Sequence, residues 1–118
     1  MAAKNVEIHI FRNTKDELLI FPPYAFAKEA EGDAFQWVNL TDEDLSWTFT
    51  AAPLILHADD SATDPAPSQQ VIDGKGKTGG KPIRTHKVKK GTPHGMYKYS
   101  IYSTTRNELA QGSEGGVD

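Results

Sequence analysis

The chain has 118 residues, 37% of them hydrophobic and 25% charged, with a net charge of −3 and no cysteine. That length suits one domain, 1–118, with a modest core, and no apolar run approaches the ~18 residues of a membrane span. The lack of cysteine removes disulfides, thiolate nucleophiles and every Cys-ligated metal centre from consideration.

Met1-Ala2-Ala3-Lys4-Asn5 has no apolar signal core, so the expected compartment is the cytoplasm. A strand is expected from Lys4 to Phe11, where Val6, Ile8 and Ile10 alternate with polar residues. Asn13 to Asp16 reads as a turn, Leu18 to Phe21 as a short strand stopped by Pro22-Pro23, and Tyr24 onward as another extended segment. After the turn Glu31-Gly32-Asp33, a strand is expected over Ala34–Asn39 with Phe35 and Trp37 on one face. Asp42-Glu43-Asp44 reads as a solvated acidic turn, and Ser46 to Thr50 alternates again. From 51 to 80 the pattern dissolves into Pro- and Gly-rich chain, and a long irregular insertion is expected there. Ile83 to Lys89 and Met96 to Tyr102 complete the strands. No segment has a long helical period, so the fold class is all-β, with the spacing of a sandwich.

Charge is divided unevenly. Between Gly74 and Asn107 there are nine Lys or Arg and no acid, while the rest of the chain holds four basic residues and all sixteen acids. Lys75, Lys77, Lys81, Arg84, Lys87, Lys89 and Lys90 are the candidate contacts for an anionic partner. Neutralisation by neighbouring acidic segments is the simpler expectation. Tyr97, Tyr99 and Tyr102 lie in the basic third, but Tyr97 and Tyr99 share what reads as a core face, which disfavours nucleic-acid stacking.

The histidines His9, His57, His86 and His94 show no close pair at ligand spacing. His57 with Asp59 and Asp60 is the least implausible metal set, whereas His9 and His86 read as surface imidazoles. Gly76-Lys77-Thr78 fails as a phosphate loop, because Val71 stands where a glycine is needed and no helix follows. Asn39-Leu40-Thr41 is a glycosylation sequon. No nucleophile–base arrangement is visible.

Four segments, in order, resemble the cupredoxin (blue-copper) family. They are Val6–Ile10 followed by Phe21-Pro22-Pro23, then Glu31-Gly32-Asp33-Ala34-Phe35-Gln36-Trp37-Val38-Asn39, then Ser46-Trp47-Thr48-Phe49, and last Gly95-Met96-Tyr97-Lys98-Tyr99-Ser100-Ile101. The resemblance implies an antiparallel Greek-key β-sandwich with an insertion at about 51–80. It also implies that the family's copper ligands fall on Trp47 (Ser46 if the register slips by one), Ile101, Thr104 and Leu109. None is a good copper ligand, so no copper and no other cofactor is expected. In the family another alternating strand follows, and here Gly112 to Asp118 is Gly-rich. The expectation is therefore that the last strand is absent or lies beyond the chain, leaving an open C-terminal edge.

Together these readings favour a non-catalytic, soluble binding or assembly module with a protein partner or itself. A metal-handling protein using histidines outside the copper positions is the first alternative, and an enzyme with a site on 51–80 the second.

Overall fold

The computed structural model describes residues 3–59, 61, 63–111 and 114–117, with the side chain of Glu114 left aside. It is all-β. The strands are β1 (Asn5–Arg12), β2 (Leu18–Phe21), β3 (Tyr24–Ala27), β4 (Ala34–Asn39), β5 (Leu45–Thr48), β6 (Gln69–Ile72), β7 (Ile83–Lys87), β8 (Gly95–Lys98), β9 (Ser100–Ser103), β10 (Glu108–Leu109) and β11 (Glu114–Val117). One turn of 3-10 helix (Glu29–Glu31) and one of α-helix, α1 (Ala52–Ile55), interrupt them. Among the described residues no helix is long and apolar enough to cross a membrane.

The strands form three sheets, ordered β2-β1-β4-β7, β10-β9-β5-β6 and β3-β11-β8. The last two adjoin through the continuous run from β8 into β9. The inner face of the first sheet packs on both, giving a sandwich-like arrangement around one buried cluster. The sheets are mixed rather than purely antiparallel: β1 runs parallel to β4, and β11 parallel to β3. Period-two patterning reveals which side of a strand is buried but carries no information on its direction, so parallel pairs are invisible to it.

Aromatic residues fill the centre. Trp37, fully buried, sits edge-on to Trp47 (5.2 Å), Tyr99 (5.4 Å) and Phe49 (6.2 Å). Burying rings of this size is a large part of what drives the layers together.

Three sequence expectations need correction. The region 51–80 is not an irregular insertion: it holds α1, bridges at Leu56 and His57, and β6, which pairs with β5. Its segment 56–59 covers the edge of β7, as His57 N donates to Lys87 O (2.8 Å) and Thr85 N to Asp59 Oδ1 (3.1 Å). Covering an exposed edge in this way blocks strand addition. The Met96–Tyr102 strand is broken at Tyr99, with β8 serving β11 and β9 serving β5.

The C-terminal edge is not open either. β11 fills the gap between β3 and β8 and is made of the Gly-rich segment itself. Gly115 lies under Phe35, whose Cζ would stand 3.2 Å from an added Cβ. At Gly116 an added Cβ would collide with the ring of Phe26. The two glycines are there because side chains from both faces close over the strand, and their lack of apolar side chains hides the strand from periodicity.

Candidate functional site

Strands β5 and β9 set Trp47 directly opposite Ile101. Both are fully buried. The indole of Trp47 stacks on the ring of His86 at 5.2 Å and 19°, and its Nε1 has no partner. Two of the four positions that the resemblance assigns to copper ligands are thus brought together, deep in the core and without a donor atom aimed at shared space. The other two are elsewhere. Thr104 Oγ1 donates to Asp44 O (3.1 Å) on the turn after β9, and Leu109 lies beside Tyr102, 60% exposed.

His86 is the polar group at this centre, and its burial corrects the reading of it as a surface imidazole. In β7 the inward positions are Arg84 and His86, with Val88 following, while Ile83 faces out. The one apolar signal that could have set this parity was Val88, two residues beyond His86. Nδ1 lies 2.8 Å from His57 O, which can only accept, so the proton is on Nδ1. Nε2 then accepts from Gln70 Nε2 at 2.6 Å. Burial lowers the His86 pKa from its ordinary 6.5, against the backbone bond to His57 and the nearby Asp59. The ring is therefore held neutral.

Of the candidate metal set, Asp59 is committed to neighbours. It accepts from Arg84 Nη1 (2.7 Å) and Thr85 N, and its Oδ1 stands 3.4 Å from His86 Nε2. His57 uses its backbone on both sides, to Lys87 and His86, while its ring Nδ1 is buried without a partner. Asp60 lies outside the described residues. Among the described residues no three His, Asp or Glu side chains converge as a metal group would need.

The seven basic candidates do not form one patch. Lys77 lies between Asp73 (3.2 Å) and Asp44 (3.5 Å). Arg84 pairs with Asp59 and also donates twice to Val71 O, tying β7 of one layer to β6 of the other. Lys89 Nζ donates to Pro53 O at 2.8 Å, and it lines an open groove of about 480 Å³ with Lys87, Lys90 and His57. Lys75 lies in a separate groove of about 380 Å³ beside Arg12 and Arg106, and Lys81 in a third. Neutralisation by acidic segments holds for Lys77, Arg84 and Arg106, the last through Asp16.

A polar cluster that the sequence did not reveal lies at the other end of the sandwich. Glu43, 4% exposed, is not part of a solvated turn. Its two oxygens meet Arg12 Nε and Nη2, each at 2.7 Å, and Oε1 also accepts from Ser103 Oγ at 2.7 Å. Arg12 Nη1 continues to Asp16 O (2.6 Å) and Glu108 Oε1 (3.0 Å). The guanidinium holds Glu43 below the usual carboxylate range, and Arg12 is raised in turn. Asn39, also buried, donates its amide to Glu43 O, Ile72 O and Asp73 O while Oδ1 accepts from Thr41. The sequon's asparagine is thereby consumed by the fold. The one available hint was the four-residue spacing of Asn39 and Glu43 around a turn. No family model matches the chain, and no curated protein matches it either.

Proposed function

We propose that this chain is a non-catalytic binding or assembly module on a cupredoxin-like, Greek-key frame with its copper site filled by apolar side chains. The observation that carries the reading is the pair Trp47–Ile101. Two motifs far apart in sequence, aligned independently to the family's histidine and cysteine, are direct cross-strand partners. Supporting it, the resembling segments fall on β1–β2, β4, β5 and β8–β9, and the chain crosses repeatedly between the layers. Neither Trp47 nor Ile101 offers a ligand of the type a copper centre uses.

The metal-handling alternative must draw on Asp59, whose carboxylate is already taken by Arg84 and Thr85. For an enzyme on 51–80, no nucleophile–base pair is brought together there among the described residues: His57 N and the Asp59 carboxylate are spent on the edge of β7. Native mass spectrometry of the full chain, with bound metal counted in the same spectrum, separates the module from the metal-handling alternative. A metal-free species fits the module. One copper or zinc per chain that disappears in His57→Ala overturns it.

A further inference from the structure

One stretch of the basic segment is left without acidic partners. Leu56 bridges Val88, and both are buried. That pairing turns His57 and the residue opposite it, Lys87, to the outer side of the sheet, with Lys89 following at the same parity. With Thr63 and Lys90 they line the groove of about 480 Å³, whose charged residues are all lysines. Among the described residues the lysine ion pairs belong to Lys28 and Lys77 instead. The nearby carboxylates are engaged elsewhere: Asp59 by Arg84 and Thr85, and Glu29 by Gly91 N at 2.9 Å. Asp64, next to Thr63, is exposed. His57 buries its Nδ1 without a partner. A buried N–H is costly to orphan, so the ring proton sits better on Nε2, which is left to donate. Lys89 Nζ spends one donor on Pro53 O, which fixes the ammonium and leaves two. Lys87 keeps its ammonium end beside Gly32, so it adds field more than contact.

We propose that this groove binds the phosphate group of a small phosphorylated molecule, held by Lys89, Lys90, the His57 ring and the Thr63 hydroxyl. The inference goes beyond the module reading and stands apart from it. The donors select the anion. Ammonium groups bind phosphate as point charges, whereas a carboxylate is best gripped by the fork of an arginine. All three arginines of the chain, Arg12, Arg84 and Arg106, are already bound to carboxylates. The groove also exceeds an inorganic phosphate and falls in the range of small-molecule sites, about 300–1,000 Å³. A polynucleotide needs a continuous basic track. Here Lys75 and Lys81 lie in separate grooves, and the chain as a whole is at −3.

¹H–¹⁵N correlation spectra of the full chain, titrated with sodium pyrophosphate at about 150 mM NaCl, test this. The expected result is saturable binding with a Kd of about 1 mM or tighter, and the largest shifts at His57, Thr63, Lys89 and Lys90. Lys90→Glu should raise Kd by about tenfold or more, because it sets a like charge against the anion. Lys75→Glu, in the groove beside Arg12, should leave it unchanged. Melting temperatures within a few degrees of wild type confirm that the variants fold. Shifts that climb without saturating to about 20 mM, or that are equal in Lys90→Glu, overturn the site. Sodium acetate saturating the same residues at the same concentration overturns the choice of phosphate. A short single-stranded oligonucleotide that binds more tightly and also shifts Lys75 and Lys81 overturns the small-molecule assignment. None of these results touches the module reading, which fails on bound metal instead.

Discussion

The polar clusters around Arg12–Glu43 and around His86 are built in opposite ways. Around Arg12 and Glu43 the chain keeps full charges, with both carboxylate oxygens and three guanidinium nitrogens occupied. Around His86, where Trp47 meets Ile101, it keeps a neutral ring bonded at both nitrogens and pressed against an indole. The first cluster holds β1 to the 41–44 loop and to β9, and needs ions of fixed sign. The second fills the middle of an aromatic core, where a charge would be desolvated on every side. One is a charged pair and the other a neutral ring, and the two respond differently to mutation and to acid.

The largest effects come from removing what each cluster leans on. Trp37→Ala takes away the ring that touches Trp47, Phe49, Tyr99 and His86, and should cost about 3–5 kcal/mol in chemical denaturation. A loss below about 1 kcal/mol would remove Trp37 from the centre of the account.

Glu43→Ala removes two charge-assisted bonds from the half-buried Arg12 and should cost about 2–3 kcal/mol. The double replacement Arg12→Met with Glu43→Leu should recover most of that loss, because both desolvation penalties go together. If the double variant is as unstable as Glu43→Ala, the cluster acts through packing or Ser103 rather than through charge.

The smallest effect is the most discriminating, because it separates the clusters by pH. His86 has a lowered folded pKa, so below its ordinary 6.5 the unfolded chain binds a proton that the folded chain does not. Its contribution is complete above pH 6.5 and is lost as pH falls from there toward the folded value. Glu43 is also lowered, from 4.5, but it is a carboxylate. Its contribution is present above 4.5 and is lost as pH falls through the folded value. Stability against pH should therefore fall in two windows. His86→Gln should flatten the upper one, and Glu43→Gln should shrink the lower, which Asp16 and Asp73 share. A single window, abolished by one variant alone, would show that the clusters do not titrate separately.

How much of this was legible follows from where apolar residues alternate. β1, β2 and β4 were readable because Ile8, Ile10, Leu18, Ile20, Phe35 and Trp37 point inward at period two. The same rule misplaced His86 and missed Glu43, because a polar residue announces burial only through the partner that satisfies it. Those partners, Gln70 and Arg12, are distant in sequence. β11 was illegible for a different reason. Its glycines are required by Phe35 and Phe26 from other strands, and a strand without side chains has no period. The pairing of Trp47 with Ile101 was not legible, since neither residue alone says what lies opposite.

The central claim is that Trp47 and Ile101 lie in a closed core around a neutral histidine, His86. Long-range ¹H–¹⁵N spectra of the histidine rings, titrated with pH and repeated with one equivalent of zinc, test it most directly. The account predicts His86 protonated at Nδ1, titrating below 6.5, with ring shifts unmoved by zinc. A ring protonated at Nε2, a pKa at or above 6.5, or a zinc-dependent shift at Nε2 would contradict it.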